Sequence, residues 1–401
     1  MCALTWQWMI DELQQLEQKS QYRQLVDTRD GKAGWLLRDG RSMLNLASNH
    51  YLGLYQRFTP DIYEPLIDEL QVDTDFLRMG STASRLIVGN DPVFQHFERE
   101  FALYKGTESC LLFSNGYMAN VGVISSLMRR GDYVFSDRLN HASITDGIIL
   151  SRAEHQRYHH RDIEQLEHLL RKAPRESKKL IVTDALFSMD GTLAPLEDLV
   201  ALKNKYQAML FVDEAHSGGV YGTEGEGLVH ALGLTKEVDI HMGTFSKAYG
   251  CYGAYVASSQ LVVQYLINKA RSFIYTTALP PIVVLMIYYN WLQVRKAKQQ
   301  RAHLIEQATL FRSALQTKGL FIGDSESYVI PLMIGSNELT IQFAERLQQV
   351  GIAAVPIRPP TVREGTARIR FTLTAAHQES DLFWALEHIV HIARDLGLVK
   401  G

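Results

Sequence analysis

AMLFVDEAH, residues 208–216, is the stretch that decides the fold class, because its first five residues are all apolar. A strand that is buried on both faces needs such a run, whereas a strand with one solvent-facing side alternates apolar and polar residues. The run ends in Asp213, and the ligands of α/β proteins bind at the carboxyl ends of the strands. We therefore expect an α/β fold with a ligand site beside Asp213.

Short apolar runs of the same kind recur along the chain, at residues 110–113, 133–135, 180–182, 240–242 and 254–257. Helical patterns separate these runs, for example at residues 162–171 and 196–206. Such alternation is typical of an α/β domain whose central sheet is mostly parallel. We expect this large domain at residues 48–285.

The two ends of the chain have other patterns. A helical stretch and then apolar residues on both sides of Asp39-Gly40, a dipeptide that suits a type I′ turn, predict an N-terminal arm of helix and hairpin at residues 1–47. Mixed helix and strand patterns predict a small C-terminal α+β domain with an antiparallel sheet at residues 286–401.

Composition narrows the function classes. The net charge is −3, from 41 basic and 44 acidic residues, so neither nucleic acid nor an anionic membrane is expected as a partner. Three cysteines without a CxxC spacing argue against a disulfide framework and a zinc site, and they fit a reducing cytoplasm. The apolar run at residues 282–289 is much shorter than the roughly 20 residues of a spanning helix. A cytoplasmic protein is therefore expected.

A lysine follows the apolar run at 240–242, in the segment GTFSKA of residues 243–248. Taken alone, Lys247 also fits an ordinary surface loop. Only a neutral amine attacks an aldehyde, so a lysine that binds a cofactor as a Schiff base has to be partly desolvated. Pyridoxal phosphate (PLP) is such a cofactor, and Thr244 suits its phosphate. PLP also needs a carboxylate at its pyridine nitrogen, for which Asp213 is the candidate.

The residues that follow Val212 spell DEAH, which also occurs in the nucleotide sites of helicases. Those sites need a GxxxxGK[ST] loop for the phosphates. The Gly-Lys pair of this chain, Gly31-Lys32, is followed by Ala33 and does not form that loop. The PLP interpretation of Asp213 is therefore favoured over an ATPase.

Two further segments suit the same cofactor. Gly116 and Tyr117 stand between an apolar run and a helical pattern, where free N–H groups and the helix dipole attract phosphate. An ordinary turn from strand to helix would have the same sequence. His141 offers an aromatic ring that stacks on a cofactor, although a lone histidine also fits the core or the surface.

The order and spacing of these segments resemble those of fold-type I PLP-dependent enzymes. The chain is similar to the α-oxoamine synthase family over about residues 20–395, and the segments that carry the resemblance are SNHYLGL (48–54), NHAS (140–143), FSMDG (187–191), VDEAH (212–216) and TFSK (244–247). The resemblance implies a large PLP-binding domain and a small C-terminal domain. It also implies a homodimer with its active site at the interface.

The resemblance assigns roles residue by residue. It implies that Lys247 binds PLP and removes the α-proton, that Asp213 pairs with the pyridine nitrogen, and that His141 stacks on the ring. The other implied cofactor ligands are Gly116, Tyr117 and Thr244 at the phosphate, Ser188 and His216 at the phenolic oxygen, and Ala215 beneath the ring. For the amino acid substrate it implies Asn49, Thr361, Arg370 and, in the arm, Arg23.

Members of this family condense an amino acid with an acyl-CoA and release CO2. The segments IRPPTV (357–362), TARIR (366–370) and TLTAAH (372–377) are similar to those of members that use L-alanine with pimeloyl-CoA, or with a pimeloyl carrier protein, in biotin biosynthesis. Arg-Pro-Pro also occurs in members that use serine. A sister synthase that uses glycine or serine, such as glycine C-acetyltransferase, is therefore the main alternative, and an aminotransferase or a PLP-binding regulator are others.

One position departs from the family pattern. Thr82, in the segment GSTASR of residues 80–85, stands where relatives commonly have glycine. A β-branched residue restricts the backbone more than glycine does, so we expect this loop to differ in conformation.

Overall fold

The computed structural model describes residues 6–54, 59–70 and 80–399. Residues 1–5 of the predicted arm, 55–58 and 71–79 of the predicted large domain, and 400–401 of the predicted small domain lie outside the described residues.

The described strands are β1 Thr28–Asp30, β2 Trp35–Arg38, β3 Arg41–Asn45, β4 Ser109–Phe113, β5 Tyr133–Asp137, β6 Glu154–Tyr158, β7 Lys179–Asp184, β8 Met209–Asp213, β9 Ile240–Thr244, β10 Ala254–Ser258, β11 Val329–Gly335, β12 Ile352–Ala353, β13 Val355–Ile357 and β14 Ala367–Thr372. The described helices are α1 Gln7–Gln18, α2 Pro60–Leu70, α3 Pro92–Lys105, α4 Gly116–Leu127, α5 Ala142–Ser151, α6 Ile163–Lys172, α7 Leu196–Tyr206, α8 Leu228–Ala231, α9 Gln260–Lys269, α10 Arg271–Ile274, α11 Pro281–Lys296, α12 Lys298–Thr317, α13 Asn337–Gln349 and α14 Glu379–Asp395.

The described residues form two compact units. The terminal unit takes its residues from Met1–Gly53, Ser188–Thr192 and Ala302–Gly401, and the central unit takes its residues from Leu54–Phe187 and Leu193–Arg301. The predicted boundaries between an arm, a large domain and a small domain stay a prediction.

The central unit is built on a seven-stranded sheet with the order β4-β10-β9-β8-β7-β5-β6. Strands β5 to β9 pair in parallel, and β10 runs antiparallel to both β9 and β4. Each of the apolar runs predicted as a strand lies in one of these seven strands. The predicted α/β fold class with a mostly parallel central sheet is therefore confirmed.

Neighbouring residues of one strand face opposite cores, which explains the continuous apolar runs. In β7, Leu180 and Val182 pack in a cluster with Val123 of α4. Ile181, between them, packs in a second cluster with Leu199 of α7. All of these side chains are buried, so the sheet contributes to a hydrophobic core on each face.

The apolar run at residues 282–289 lies in α11, where Val284, Leu285 and Ile287 are fully buried. Two prolines stand at the start of this helix, a position that needs no backbone N–H. Among the residues that the structure describes, no helix is both long and apolar enough to cross a membrane.

The terminal unit contains two small sheets, with the orders β1-β2-β3-β12 and β11-β14-β13. The predicted hairpin is present: β2 and β3 pair antiparallel, and Asp39 and Gly40 between them have φ angles of +50° and +74°. Positive φ at both central residues is what a type I′ turn requires. The sheet β11-β14-β13 is antiparallel, as predicted for the C-terminal part of the chain.

Candidate active site

A cavity of about 250 Å³ lies in the central unit at the carboxyl ends of three neighbouring strands. Asp184, Asp213 and Thr244 are the last residues of β7, β8 and β9, and all three line this cavity. The other lining residues are Asn115, Gly116, Tyr117, Asn120, His141, Ser143, Ala215, His216, Met242, Ser246 and Lys247. The structure thus brings together the predicted residues Gly116, Tyr117, His141, Asp213, Ala215, His216, Thr244 and Lys247.

Asp213 presents a buried carboxylate whose two oxygens are both held. The residue is 3% exposed. Its Oδ1 accepts the backbone N–H of Ala215 at 2.8 Å, and its Oδ2 accepts the Asn120 amide at 2.8 Å. Each oxygen retains a lone pair for a further donor, such as a protonated ring nitrogen.

Lys247 lies in the loop that follows β9, and a buried aromatic side chain anchors this loop. Phe245 is fully buried and packs edge-on against Phe101 and Tyr249, with ring centroids at 5.3 Å in both cases. Thr244 Oγ1 is 2.8 Å from Ser246 Oγ and donates to the backbone oxygen of Gly253 at 2.8 Å. These contacts hold the backbone on both sides of Phe245, which fixes where Lys247 begins.

Helix α4 starts at the cavity, and the first backbone N–H groups of a helix have no partner within the helix. Asn115 caps the helix by accepting the Met118 N–H at 2.9 Å, which leaves the N–H groups of Gly116 and Tyr117 for an anion. A Cβ added at Gly116 would lie 3.8 Å from both Met242 and Thr244. Glycine therefore keeps open the space between this helix and the end of β9.

His141 is the N-cap of α5 and lines the cavity. Its ring Nδ1 lies 2.7 Å from Ser143 Oγ and 3.3 Å from the Ser143 backbone nitrogen. Desolvation by burial lowers the pKa of His141; the Asp213 carboxylate opposes this shift, and the Lys247 ammonium adds to it. The neutral imidazole is therefore favoured.

Three buried polar residues of the cavity were not assigned a role from the sequence: Asn120, Ser143 and Asp184. Asp184 Oδ2 accepts the backbone N–H of His141 at 2.8 Å. Asn120 stands four positions after Gly116, and Ser143 stands two positions after His141. The available signal for Asp184 was its place two positions after the apolar run at residues 180–182.

Arg370 and Asn49 are neighbours in the terminal unit. Arg370 is 6% exposed, and its guanidinium donates to Asn49 Oδ1 at 3.2 Å and to the backbone oxygen of Ser188 at 3.3 Å. Arg370 Nε has no hydrogen-bond partner, and no carboxylate pairs with this side chain among the described residues. A buried guanidinium without a counter-ion suits a carboxylate ligand.

The two remaining predicted substrate residues form a separate pair in the terminal unit. Arg23 Nη2 donates to Thr361 Oγ1 at 2.9 Å, and both side chains are exposed at this contact. Ser188 belongs to the same unit, where its backbone oxygen contacts Arg370.

The residues of the cavity fit PLP part by part. The start of α4, beside Thr244, suits the phosphate, and the buried Asp213 suits the pyridine nitrogen. Lys247 lines the same cavity and supplies the amine. The open space beside Gly116 is the feature that a phosphate cradle requires.

The family model "Aminotransferase class I and II" matches residues 41–389 of this chain. A protein from Bacillus cereus (strain G9842), named "Putative 8-amino-7-oxononanoate synthase", is 50% identical over 385 residues, which are 96% of each chain. A protein of the same name from Bacillus mycoides (strain KBAB4) is 49% identical over 389 residues, 97% of each chain.

Solved structures are similar over nearly the whole length. A serine palmitoyltransferase from S. paucimobilis with bound PLP has a TM-score of 0.89 and 29% identity, with 99% of each chain covered. The 8-amino-7-oxononanoate synthase from Francisella tularensis has a TM-score of 0.75 and 28% identity, with 88% of this chain and 98% of that chain covered.

Proposed function

Because this chain belongs to the aminotransferase class I and II family and is a PLP-dependent acyltransferase, we propose that it condenses L-alanine with pimeloyl-CoA to 8-amino-7-oxononanoate, CoA and CO2. PLP is its cofactor. The observation that supports these substrates is the 50% identity, over 96% of both chains, with a protein that carries the name of this activity. The reaction is a step of biotin biosynthesis.

Bound PLP supplies an aldehyde for the amino acid and a protonated ring that withdraws electrons from its α-carbon. The N–H groups of Gly116 and Tyr117 hold the phosphate, and we assign Thr244 to the same group. Asp213 keeps the ring nitrogen protonated through its buried carboxylate. The remaining contacts that we assign to the cofactor are those of Ser188 and His216 with the phenolic oxygen and of His141 and Ala215 with the two ring faces.

Lys247 has two tasks in this proposal. Its Nζ holds the cofactor between turnovers and accepts the α-proton of alanine during turnover. Arg370 and Asn49 bind the alanine carboxylate and thereby orient the α-carbon; the buried guanidinium without a counter-ion supports this role. Thr361 and Arg23 contribute further substrate contacts, and His141 donates a hydrogen bond to the reacting acyl group.

We also propose the assembly and the partners of the enzyme. It acts as a homodimer in the cytoplasm, with no nucleic acid or membrane as a partner. Its acyl donor is pimeloyl-CoA or a pimeloyl carrier protein.

A sister α-oxoamine synthase that uses serine or glycine is the second candidate. The solved serine palmitoyltransferase supports it, since its TM-score of 0.89 over 99% of both chains is higher than that of the Francisella tularensis synthase. Sequence identity to both structures is similar, at 29% and 28%. The curated Bacillus relatives, at about half identity, favour alanine and a pimeloyl donor.

Release of CoA separates the two candidates. The purified, PLP-loaded enzyme is offered alanine, glycine or serine, each with pimeloyl-CoA, acetyl-CoA or palmitoyl-CoA, and CoA release is recorded by a thiol reagent. We expect the highest kcat/KM for alanine with pimeloyl-CoA, and product mass spectrometry should give 8-amino-7-oxononanoate. A preference for serine with palmitoyl-CoA, or for glycine with acetyl-CoA, would replace the first candidate by the second.

A further inference from the structure

A continuous line of hydrogen bonds joins the Asp213 carboxylate to the His141 ring. Asn120 Nδ2 lies 2.8 Å from Asp213 Oδ2 and 2.9 Å from Ser143 Oγ. Ser143 Oγ in turn lies 2.7 Å from His141 Nδ1. The two linking residues are buried, Asn120 at 1% and Ser143 at 0% exposure, so water does not compete for these bonds.

The chemistry of the groups fixes the direction of the two bonds that Asn120 makes. An ionised carboxylate only accepts, so the Asn120 amide must turn its nitrogen toward Asp213. Its second N–H then donates to Ser143 Oγ, and the Ser143 O–H remains available to donate to His141 Nδ1. Asn120 Oδ1 is buried without a hydrogen-bond partner among the described residues, as expected if the amide is oriented by its nitrogen alone.

The backbone gives independent support for the direction at the ring. The N–H of Ser143 points at His141 Nδ1 from 3.3 Å, and a backbone nitrogen can only donate. Nδ1 therefore accepts from two donors of the same residue. A neutral imidazole with an acceptor at Nδ1 carries its proton on Nε2.

We infer that Asn120 and Ser143 are positioning residues that hold His141 as the Nε2–H tautomer and at the same time orient the Asp213 carboxylate. The consequence for catalysis rests on the proposed function: His141 presents a donor, not a lone pair, at Nε2. Rotation of the Asn120 amide would remove its N–H donors from both Asp213 and Ser143. One side chain therefore sets the orientation of both Asp213 and His141.

Imidazole nitrogen NMR tests the tautomer directly. The enzyme is labelled with ¹⁵N-histidine, loaded with PLP and measured without substrate. The His141 signals, among those of 14 histidines, are those that disappear in His141→Gln. We expect an unprotonated Nδ1 and a protonated Nε2. A proton on Nδ1 would overturn the inference.

Variants then test the two linking residues. Ser143→Ala should shift the His141 nitrogen signals toward a tautomer mixture, and Ser143→Thr, which keeps the hydroxyl, should restore them. Ser151→Ala is the matched control, because this buried serine of the same helix bonds to the backbone groups of Ile148 and Ala153. Unchanged His141 signals in Ser143→Ala would contradict the role of Ser143.

Affinity for PLP tests the other end of the line. Asn120→Ala removes a donor from a carboxylate, so PLP should bind roughly 10-fold or more weakly. Asn290→Ala, which removes an amide that bonds to Tyr249 and Cys251, is the control and should bind PLP normally. Equal affinity of Asn120→Ala and wild type would contradict the role of Asn120. If Asn120→Ala does not fold, the Ser143 variants decide the question. None of these readouts uses a substrate, so a wrong acyl donor would leave them unaffected.

Discussion

Asp184 and Asp213 stand opposite each other at the ends of the parallel strands β7 and β8, and each is 3% exposed. Burial, together with the charge of Asp213, raises the pKa of Asp184 well above its usual value. The pair therefore favours one neutral and one ionised carboxyl group. Asp213 accepts two donors, from Ala215 and Asn120, which stabilise a negative charge, whereas Asp184 accepts one, from the His141 N–H.

Exchange of each carboxyl group for an amide should separate these roles. Asp213→Asn removes the charge that keeps the cofactor ring protonated, so kcat should fall on the order of 100-fold or more. Asp184→Asn is the matched control: burial and the Asp213 charge raise the pKa of Asp184, which favours its uncharged form, and an amide oxygen can still accept the His141 N–H, so kcat should stay within a few-fold of wild type. Equal losses in the two variants would contradict the assignment.

Removal of the Arg370 guanidinium should affect alanine more than the acyl donor. Arg370→Ala is expected to raise the KM for alanine roughly 10- to 100-fold, the usual effect of losing a charged hydrogen bond. Steady-state kinetics with each substrate varied in turn measures this. Arg346→Ala, which breaks an exposed pair with Asp395, is the control. An unchanged KM for alanine in Arg370→Ala would remove Arg370 from the carboxylate site.

The free energy of unfolding should decrease as the pH is lowered, because of a buried histidine. His377 is fully buried, its Nδ1 accepts the Thr374 N–H, and burial lowers its pKa to about 4. In the unfolded chain, His377 binds a proton with the ordinary pKa of 6.5. In the folded chain, it binds this proton with a pKa of about 4. The contribution of His377 to the free energy of unfolding is therefore complete above pH 6.5 and is lost as the pH falls toward 4.

Urea unfolding at a series of pH values measures this dependence. His377→Gln should be less stable than wild type at neutral pH but should lose less free energy of unfolding on acidification. His391→Gln, at an exposed histidine, should keep the wild-type slope. A wild-type slope in His377→Gln would show that another group titrates.

Thr82 has a left-handed backbone, a conformation that glycine adopts without strain. Its φ is +55°, which costs a β-branched residue roughly 1–2 kcal/mol. Thr82→Gly removes this strain but adds freedom to the unfolded chain, so the free energy of unfolding should rise by up to about 1 kcal/mol. Thr107→Gly is the control, since Thr107 lies outside the left-handed region and the change should destabilise. A loss of stability in both variants would contradict the claim that the backbone of Thr82 is strained.

Strand β7, which was predicted from the sequence, contacts both cores. Leu180, Ile181 and Val182 face alternate sides of the sheet, so every position had to be apolar. Strand β6, Glu154–Tyr158, gave no such signal because it is the edge strand and most of its side chains are polar. Its place follows only from pairing with β5.

The sequence predicted those site residues that follow an apolar run or stand at the start of a helix. Lys247 and Asp213 follow apolar runs, and Gly116 begins a helix. Asn120 and Ser143 carry no such signal, because their roles come from a contact between α4 and α5 that brings them within 2.9 Å. The pairing of Arg370 with Asn49, 321 positions away, likewise depends on the folded sheet of the terminal unit.

The central claim, that Lys247 binds the cofactor, can be tested by reducing the PLP-loaded enzyme with borohydride and locating the label by peptide mass spectrometry. The account predicts a phosphopyridoxyl group on the peptide that contains Lys247, and none on this peptide in Lys247→Ala. A label on another lysine, or no label on a protein that has taken up PLP, would contradict it.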